Sequence, residues 1–156
     1  MRPATSTILT ATLVAGTIDI LSALILYGYV FAHYSAQQIL QGIARALLGQ
    51  KAFEGGMGTD LLGLCMHYCI AGIWVTFYFF IFPHLPFLNK NRILSGVLYG
   101  LFVWTMMNVV VLPLIGYSKL IFHWIPAIRA AVILIYAIGI PTSFIVARHY
   151  SRVRAV

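Results

Sequence analysis

The chain has 156 residues, of which 62% are hydrophobic and only 8% are charged, and its mean hydropathy is +0.95. A soluble globular domain carries roughly 25% charged residues, so this chain has too few polar groups to cover a water-facing surface. Its net charge is +7, but the Lys and Arg residues stand between and beyond long uncharged runs and form no basic face, which argues against nucleic-acid binding.

Four long apolar runs approach the length of a membrane-crossing helix. About 20 apolar residues are needed to cross a hydrocarbon core ~30 Å thick. The runs cover residues 8–31, 61–82, 93–115 and 127–147. Because every backbone amide and carbonyl must be paired inside lipid, such runs form helices. We therefore predict an all-α fold, a polytopic membrane protein whose four transmembrane helices form a single bundle.

A different kind of segment, over residues 36–49, joins the first two runs. Ser35 followed by Gln38 predicts a capping box, and Gly49 predicts the end of a helix. Apolar and polar side chains recur between them at helical spacing. The apolar positions are Ala36, Ile39, Leu40, Ile43 and Leu47, and the polar positions on the opposite face are Gln37, Gln41 and Arg45. We predict an amphipathic helix that is interfacial or re-entrant, with a plain surface helix as the alternative.

The basic residues predict an orientation, because cytoplasmic loops carry an excess of Lys and Arg. With an inner N-terminus, the inner side holds Arg2, Lys90, Arg92, Arg148, Arg152 and Arg154. The outer side then holds Arg45, Lys51, Lys119 and Arg129. This excess of basic residues on the inner side predicts that both termini are cytoplasmic.

Polar side chains at membrane depth are the first candidates for function, since ionisable groups there are costly and are usually functional or paired. Asp19 is expected near the midplane, level with Thr142 in the fourth run. His67, Asn108 and Tyr136 are expected to share a layer nearer the outer surface. If these faces turn inward, the five side chains form a polar track through the bundle.

Small residues share helix faces with several of these polar candidates and let helices approach closely in lipid. The small residues expected at helix contacts are Ala15, Gly63, Gly96 and Gly100. The polar side chains are therefore expected on packing faces. There they serve either as interhelical glue that fixes helix register or as a proton or solute pathway.

Metal, haem and catalytic sites are not expected. Cys65, His67 and Cys69 suggest a metal set, but His67 is rotated about 200° from Cys65 on a regular helix, so one ion cannot bind all three. Haem would need a second axial ligand level with His67, which only a dimer supplies. No phosphate loop, catalytic triad or nucleotide fingerprint occurs. We predict no enzyme activity, no metal and no cofactor.

Two expectations concern local structure. The aromatic residues near the ends of the runs predict interfacial belts and lipid contact. They are Trp74, Tyr78, Phe79, Phe80, Phe82 and Trp124. Pro141 is expected to break the fourth helix, a feature found at transport sites and also in passive helices.

Four stretches of sequence carry a family resemblance. They are Ala15-Gly16-x-x-Asp19; Gln38-x-x-x-Gly42-Ile43-Ala44 through Gly49-x-x-Ala52-Phe53-x-Gly55-Gly56; Leu62-Gly63-Leu64-x-x-His67-Tyr68-x-Ile70-Ala71; and Gly96-x-x-Tyr99-Gly100-x-x-Val103-Trp104-x-x-Met107-Asn108-x-Val110-Val111-x-Pro113. Through them the chain resembles a family of small bacterial four-helix inner-membrane proteins and, more distantly, the YagU-type proteins linked to acid resistance. The resemblance implies a bacterial inner (plasma) membrane and no particular activity. Arg45 departs from the small residue expected at its position.

The first functional hypothesis is a non-enzymatic bundle with a structural or interaction role. Its expected partners are membrane lipid and further copies of the chain in a homo-oligomer. The alternative is a small proton-linked transporter or channel that uses Asp19, His67 and Asn108, with a proton or small solute as cargo. A haem- or metal-binding membrane protein is the third hypothesis. The substitution Asp19→Asn distinguishes the first two hypotheses. It should change little if Asp19 has a structural role, but it removes the titratable group that a proton pathway requires.

Overall fold

A computed structural model describes residues 3–31, 33–115 and 123–153. Over these residues the chain forms five principal helices and the all-α prediction is confirmed. The helices are α1 (Ala4–Phe31), α2 (Ala36–Leu48), α3 (Gly56–His84), α4 (Arg92–Leu114) and α5 (Trp124–Arg152). All but α2 are long and apolar enough to cross a membrane. Three basic residues that enter the predicted orientation, Arg2, Lys119 and Arg154, lie outside the described residues.

Local sequence sets both ends of α2. The Ser35 hydroxyl accepts a hydrogen bond from the backbone N–H of Gln38 at 3.1 Å. The Gln38 side-chain oxygen accepts one from the backbone N–H of Ser35 at 2.9 Å. The predicted capping box is therefore present. At the other end, Gly49 has a φ of 60°, a left-handed conformation that favours glycine and ends the helix. A 3-10 turn over Gly49–Glu54 then leads to α3.

Three contacts place the start of α1, the end of α3, the start of α4 and the end of α5 at the same end of the bundle. A hydrogen bond of 2.9 Å joins Thr7, at the start of α1, to His149, near the end of α5. Ser143 donates to the carbonyl of Arg92, at the start of α4, at 2.8 Å. Tyr150 donates at 3.1 Å to the carbonyl of Phe79, in the last part of α3. We call this the terminal end, and the opposite end, which carries α2, the α2 end.

The terminal half of the bundle has an aromatic, hydrogen-bonded core. Tyr78 is fully buried, and its hydroxyl lies 2.5 Å from that of Ser95. The hydroxyl of Tyr99 donates to the backbone carbonyl of Trp74. Buried tyrosine hydroxyls need such partners, because an unpaired polar group costs free energy away from water. Both pairs join α3 to α4.

The prediction that the aromatic residues of α3 contact lipid was wrong for three of them. Tyr78, Phe79 and Phe82 are all buried. They form part of the core, where the rings of Phe82 and Tyr150 stack with centroids 5.3 Å apart. Phe80, between them, is exposed. Residues 78, 79 and 82 share one side of a helix of 3.6 residues per turn, so they follow the packing side of α3 rather than its membrane depth.

Glycines bring α4 and α5 into backbone contact. A Cβ placed on Gly100 would lie 2.5 Å from the Cα of Ile135, and one on Gly96 would lie 2.8 Å from the Cα of Ile140. A Cβ on Gly139 would collide with the carbonyl oxygen of Gly96. Real Cβ atoms essentially never come within 3.0 Å of another heavy atom in this way. Only glycine therefore permits the observed distance between the two helices.

Pro141 does not break α5. The helix is continuous from Trp124 to Arg152, and a π-helical turn over Ile135–Gly139 precedes the proline. Proline lacks an amide hydrogen and crowds the carbonyl four residues earlier, so it needs a local departure from α geometry. The wider π turn accommodates the proline without ending the helix.

We expect Gly96→Leu and Gly100→Leu each to lower the free energy of unfolding by about 3 kcal/mol or more, since a leucine forces two backbones apart. Gly58→Leu is the matched control, because Gly58 is exposed and a Cβ there meets nothing within 4 Å. Thermal unfolding in detergent measures the difference. Equal midpoints for all three variants would contradict the close contact of α4 with α5.

Candidate functional site

A cavity of about 640 Å³ lies among the five helices in the α2 half of the bundle. Small-molecule sites typically enclose roughly 300–1,000 Å³. Residues of α2 form one wall, and these are Gln38, Ile39, Gly42, Ile43 and Ala46. The walls from α4 and α5 are apolar, and they consist of Val103, Met107, Val111, Leu112, Ile115, Leu134 and Ile138. The cavity is therefore large enough for a small organic molecule and mainly apolar.

Helix α2 rests on α3 through Gly63, where a Cβ would collide with the carbonyl oxygen of Leu40. Gln41, expected on the polar face, is only 3% exposed, whereas the apolar Leu47 is 68% exposed. The side-chain nitrogen of Gln41 has no hydrogen-bond partner among the described residues. Helix α2 is thus packed into the bundle with part of its polar face turned inward.

Asp19 and His67 line the same cavity, one from α1 and the other from α3. His67 Nε2 lies 2.9 Å from the carbonyl oxygen of Gly16. Because a carbonyl only accepts, Nε2 is the nitrogen that donates and therefore carries a hydrogen. Asp19 follows Gly16 by three residues, about one helical turn, and it interacts electrostatically with His67. No hydrogen bond or salt bridge joins Asp19 to another residue in the part of the chain that the structure describes.

The α1–α3 contact at Gly16 fixes the positions of these two side chains. A Cβ on Gly16 would lie 3.0 Å from two ring atoms of Tyr68. The Tyr68 hydroxyl is 2.8 Å from the hydroxyl of Thr17. Ala15, predicted at a helix contact, is fully buried. The backbone of α1 therefore touches the aromatic residue next to His67, and the same glycine supplies the carbonyl that orients the imidazole.

The other three members of the predicted polar track lie elsewhere, and none of them lines the cavity. The Asn108 side chain donates at 2.9 Å to a backbone carbonyl one turn earlier in its own helix. Tyr136 is exposed, and Thr142 is fully buried with no partner for its hydroxyl among the described residues. The structure thus brings together Asp19 and His67 but does not connect them to Asn108, Tyr136 or Thr142 along this cavity.

Helical periodicity explains part of this outcome. Asn108 lies in a π-helical turn over Met106–Val111, and Tyr136 lies in the π turn of α5. One extra residue in a turn rotates the following side chains by about 100° relative to a regular helix. The depth of these residues follows from the sequence, but the direction in which they point does not.

Three π-helical turns border the cavity, and each contributes at least one lining side chain. The third lies in α1, over Leu26–Phe31. Such turns are rare in helices and occur frequently at functional sites. Their concentration around one cavity marks this half of the bundle as the candidate site.

Several lining residues were missed by reasoning from sequence. Tyr27, Tyr34, Gln38 and Trp74 add polar or aromatic groups to the cavity. Trp74 follows His67 by seven residues, about two helical turns, so the spacing within α3 contains the signal for it. Tyr34 lies between α1 and α2, where no periodicity predicts a direction.

The described residues contain no group of three or more His, Cys, Asp or Glu side chains placed to hold a metal ion. Cys65 and Cys69 are free and exposed, while His67 faces the cavity. A histidine can bind haem iron through either ring nitrogen. In His67 the Nε2 atom already donates a hydrogen bond to the carbonyl oxygen of Gly16. The arrangement offers a binding cavity with one acid and one imidazole rather than a set of metal ligands.

None of the family models, curated proteins or solved structures compared with the chain matches it. The resemblance to small bacterial inner-membrane proteins stays a prediction.

We expect Gly63→Ala to displace α2, because the added methyl group meets the backbone of Leu40 rather than a movable side chain. The variant should lose about 1–3 kcal/mol of stability, and the amides of residues 36–48 should exchange faster with deuterium. Gly58→Ala, in the same helix, is the control. It has open space for its Cβ and should be neutral or stabilising by up to about 1 kcal/mol. Unchanged protection of residues 36–48 in Gly63→Ala would mean that α2 is not seated on Gly63.

Proposed function

We propose that the chain is an integral membrane protein whose four long helices cross a bacterial inner membrane. The outward side chains of these helices support this, since Leu9 and Ile73 are 62% and 65% exposed and Ile93 is also exposed. Soluble proteins rarely expose large contiguous apolar patches. Under this proposal the apolar exterior contacts lipid, and the hydrogen-bonded pairs of the core lie inside the bundle.

Both termini are proposed to face the cytoplasm. The contact of Thr7 with His149 lies at the terminal end of the bundle, and Arg92 and Arg148 belong to helix segments at the same end. Basic residues are enriched on the cytoplasmic side of membrane proteins. Helix α2 then lies on the periplasmic side.

Reporter fusions test this orientation. Alkaline phosphatase fused after Val156 should be inactive, because it folds only when exported, while a fluorescent protein fused there should be bright. The same phosphatase inserted at Lys51, in the turn after α2, should be active. Activity at Val156 together with inactivity at Lys51 would reverse the proposed orientation.

We further propose that the protein binds a small, largely apolar molecule in the cavity and catalyses no reaction on it. The cavity itself carries the proposal, since it combines an apolar volume of about 640 Å³ with one polar region at Asp19 and His67. Binding sites for small molecules typically have mainly apolar walls and a few polar groups that orient the ligand. The general interaction role predicted from sequence is thereby narrowed to binding of a ligand.

A contrast within the bundle favours binding over a purely structural role for Asp19. Several polar side chains that join helices in the terminal half are paired, as in Tyr78 with Ser95 and Thr7 with His149, although the buried Thr142 hydroxyl has no partner among the described residues. Asp19 lines open volume and has no hydrogen-bond partner among the described residues. A side chain whose only role is to fix helix register would be expected to make an interhelical hydrogen bond.

The second candidate is proton-linked transport, favoured by the presence of Asp19 and His67 in one cavity. Paired acids and histidines within membranes often relay protons. However, the terminal half is filled by a core that includes Tyr78 and Val146, and the remaining members of the predicted track lie outside the cavity. Uptake driven by a pH gradient in proteoliposomes, if lost in Asp19→Asn, would favour transport over binding alone.

Filling the cavity tests the proposed binding. A neutral, photoactivatable aryl diazirine is added to the protein in lipid nanodiscs, and labelled peptides are identified with and without excess unlabelled probe. In the wild type, labelling of residues 67–74 should be saturable. Ala46→Phe should abolish this saturable labelling, because Ala46 faces the cavity from α2.

Ala36→Phe is the matched control, since Ala36 belongs to the same helix but is exposed and does not line the cavity. It should label as the wild type does. Labelling that is never saturable in the wild type, or that persists unchanged in Ala46→Phe, would contradict ligand binding at this site.

A further inference from the structure

We propose that the ligand of the cavity is a lipophilic organic cation, such as a protonated hydrophobic amine, whose charge pairs with Asp19. This inference rests on the ligand-binding function proposed above and specifies its chemistry. It follows from the charge of the cavity lining, from the missing partner of Asp19, and from the aromatic rings around them.

The charge of the cavity lining is opposite to that of the chain. The chain has ten Lys and Arg residues and three acidic residues. Among the lining residues that the structure describes, however, Asp19 is the one acid and no Lys or Arg is present. Among these described residues an anionic ligand would meet a like charge and no Lys or Arg. A cationic ligand meets the carboxylate.

The carboxyl group of Asp19 has no hydrogen-bond partner among the described residues. A carboxylate removed from water needs an opposite charge or several hydrogen bonds. The described residues give Asp19 no hydrogen bond, and His67 interacts with it electrostatically without forming a hydrogen bond or salt bridge to it. A bound organic cation supplies the missing charge from the open side of the carboxyl group.

The orientation of His67 fits the same ligand. Its Nε2 is committed to the Gly16 carbonyl, so Nδ1 is the ring nitrogen left to face other groups. In the neutral imidazole this nitrogen accepts a hydrogen bond. An ammonium group in the cavity can therefore donate to Asp19 and to His67 together.

Aromatic rings line the same volume, at Tyr27, Tyr34, Phe53 and Trp74. The faces of such rings attract cations, most strongly where water is excluded. The guanidinium group of Arg129 lies 4.1 Å from the centroid of the Phe31 ring and interacts electrostatically with Tyr27, but Arg129 does not itself line the cavity. The rings and the acid together favour a cation with apolar substituents over a small hydrated ion.

Two ions of the same shape and opposite charge test this inference. Tetraphenylphosphonium and tetraphenylborate are added as competitors of the saturable diazirine labelling in nanodiscs. The phosphonium cation should compete in the wild type at a concentration at least about tenfold lower than the borate anion, after correction for binding to empty nanodiscs.

Asp19→Asn should raise the phosphonium concentration needed for half-competition by about tenfold or more, because it removes the charge and keeps the shape of the side chain. Glu54→Gln is the control for loss of one negative charge, since Glu54 is exposed and does not line the cavity. It should behave as the wild type. Saturable labelling by the neutral probe in Asp19→Asn shows that the cavity is intact, and loss of that labelling would indicate that Asp19 holds the fold rather than a cation.

The outcomes separate the two proposals. Saturable neutral labelling with equal competition by the two ions, or an Asp19→Asn variant with unchanged phosphonium affinity, overturns the cation and leaves ligand binding in place. Absence of saturable labelling in the wild type overturns both. Selective competition by the cation that depends on Asp19, but not on Glu54, supports both.

Discussion

Backbone contact at glycine positions sets the spacing of the helices, and the rest of the structure depends on it. Helices α4 and α5 touch where Gly96, Gly100 and Gly139 leave no room for a Cβ, and α2 touches α3 at Gly63. Because α2 packs mainly on α3 and little on α1, it stands as a separate wall. The space between that wall and the other helices is the cavity, so the same kind of contact closes one half of the bundle and leaves the other half open.

Asp19 differs from most polar groups inside the bundle in its hydrogen bonding. In the terminal half, hydroxyls of residues such as Tyr78 and Tyr99 have partners on a neighbouring helix. In the α2 half, Asp19 lines open volume without a hydrogen bond to a described residue, and His67 is held by a backbone carbonyl. Paired groups stabilise helix packing, whereas an unpaired acid beside a cavity is available to a ligand.

Much of the fold could be predicted from the sequence, because helix length, the capping box at Ser35 and the spacing of Gly96 and Gly100 on one helix face all depend on residues close together in the chain. The position of a residue along its helix also follows from counting residues, and it identifies Asp19 and His67 as polar side chains far from the helix ends. The direction in which a side chain points around its helix axis cannot be obtained by counting residues. The π turns that contain Asn108 and Tyr136 change that direction by an amount that the spacing of apolar residues does not reveal. Burial of Tyr78 and Phe82 likewise depends on the face that α3 turns towards its neighbours.

The amphipathic pattern of α2 does not specify what its apolar face contacts. An apolar face can contact lipid, a neighbouring helix or a ligand, since each of these environments lacks water. In the structure this face is divided, because Ile39 and Ile43 line the cavity while Leu47 is exposed. Tyr34 and Ile115, which also line the cavity, are exposed at the α2 end, so the opening lies there, and the packed aromatic core closes the terminal end. Under the proposed orientation the exposed opening lies towards the periplasmic side, and passage across the membrane would require the terminal core to separate.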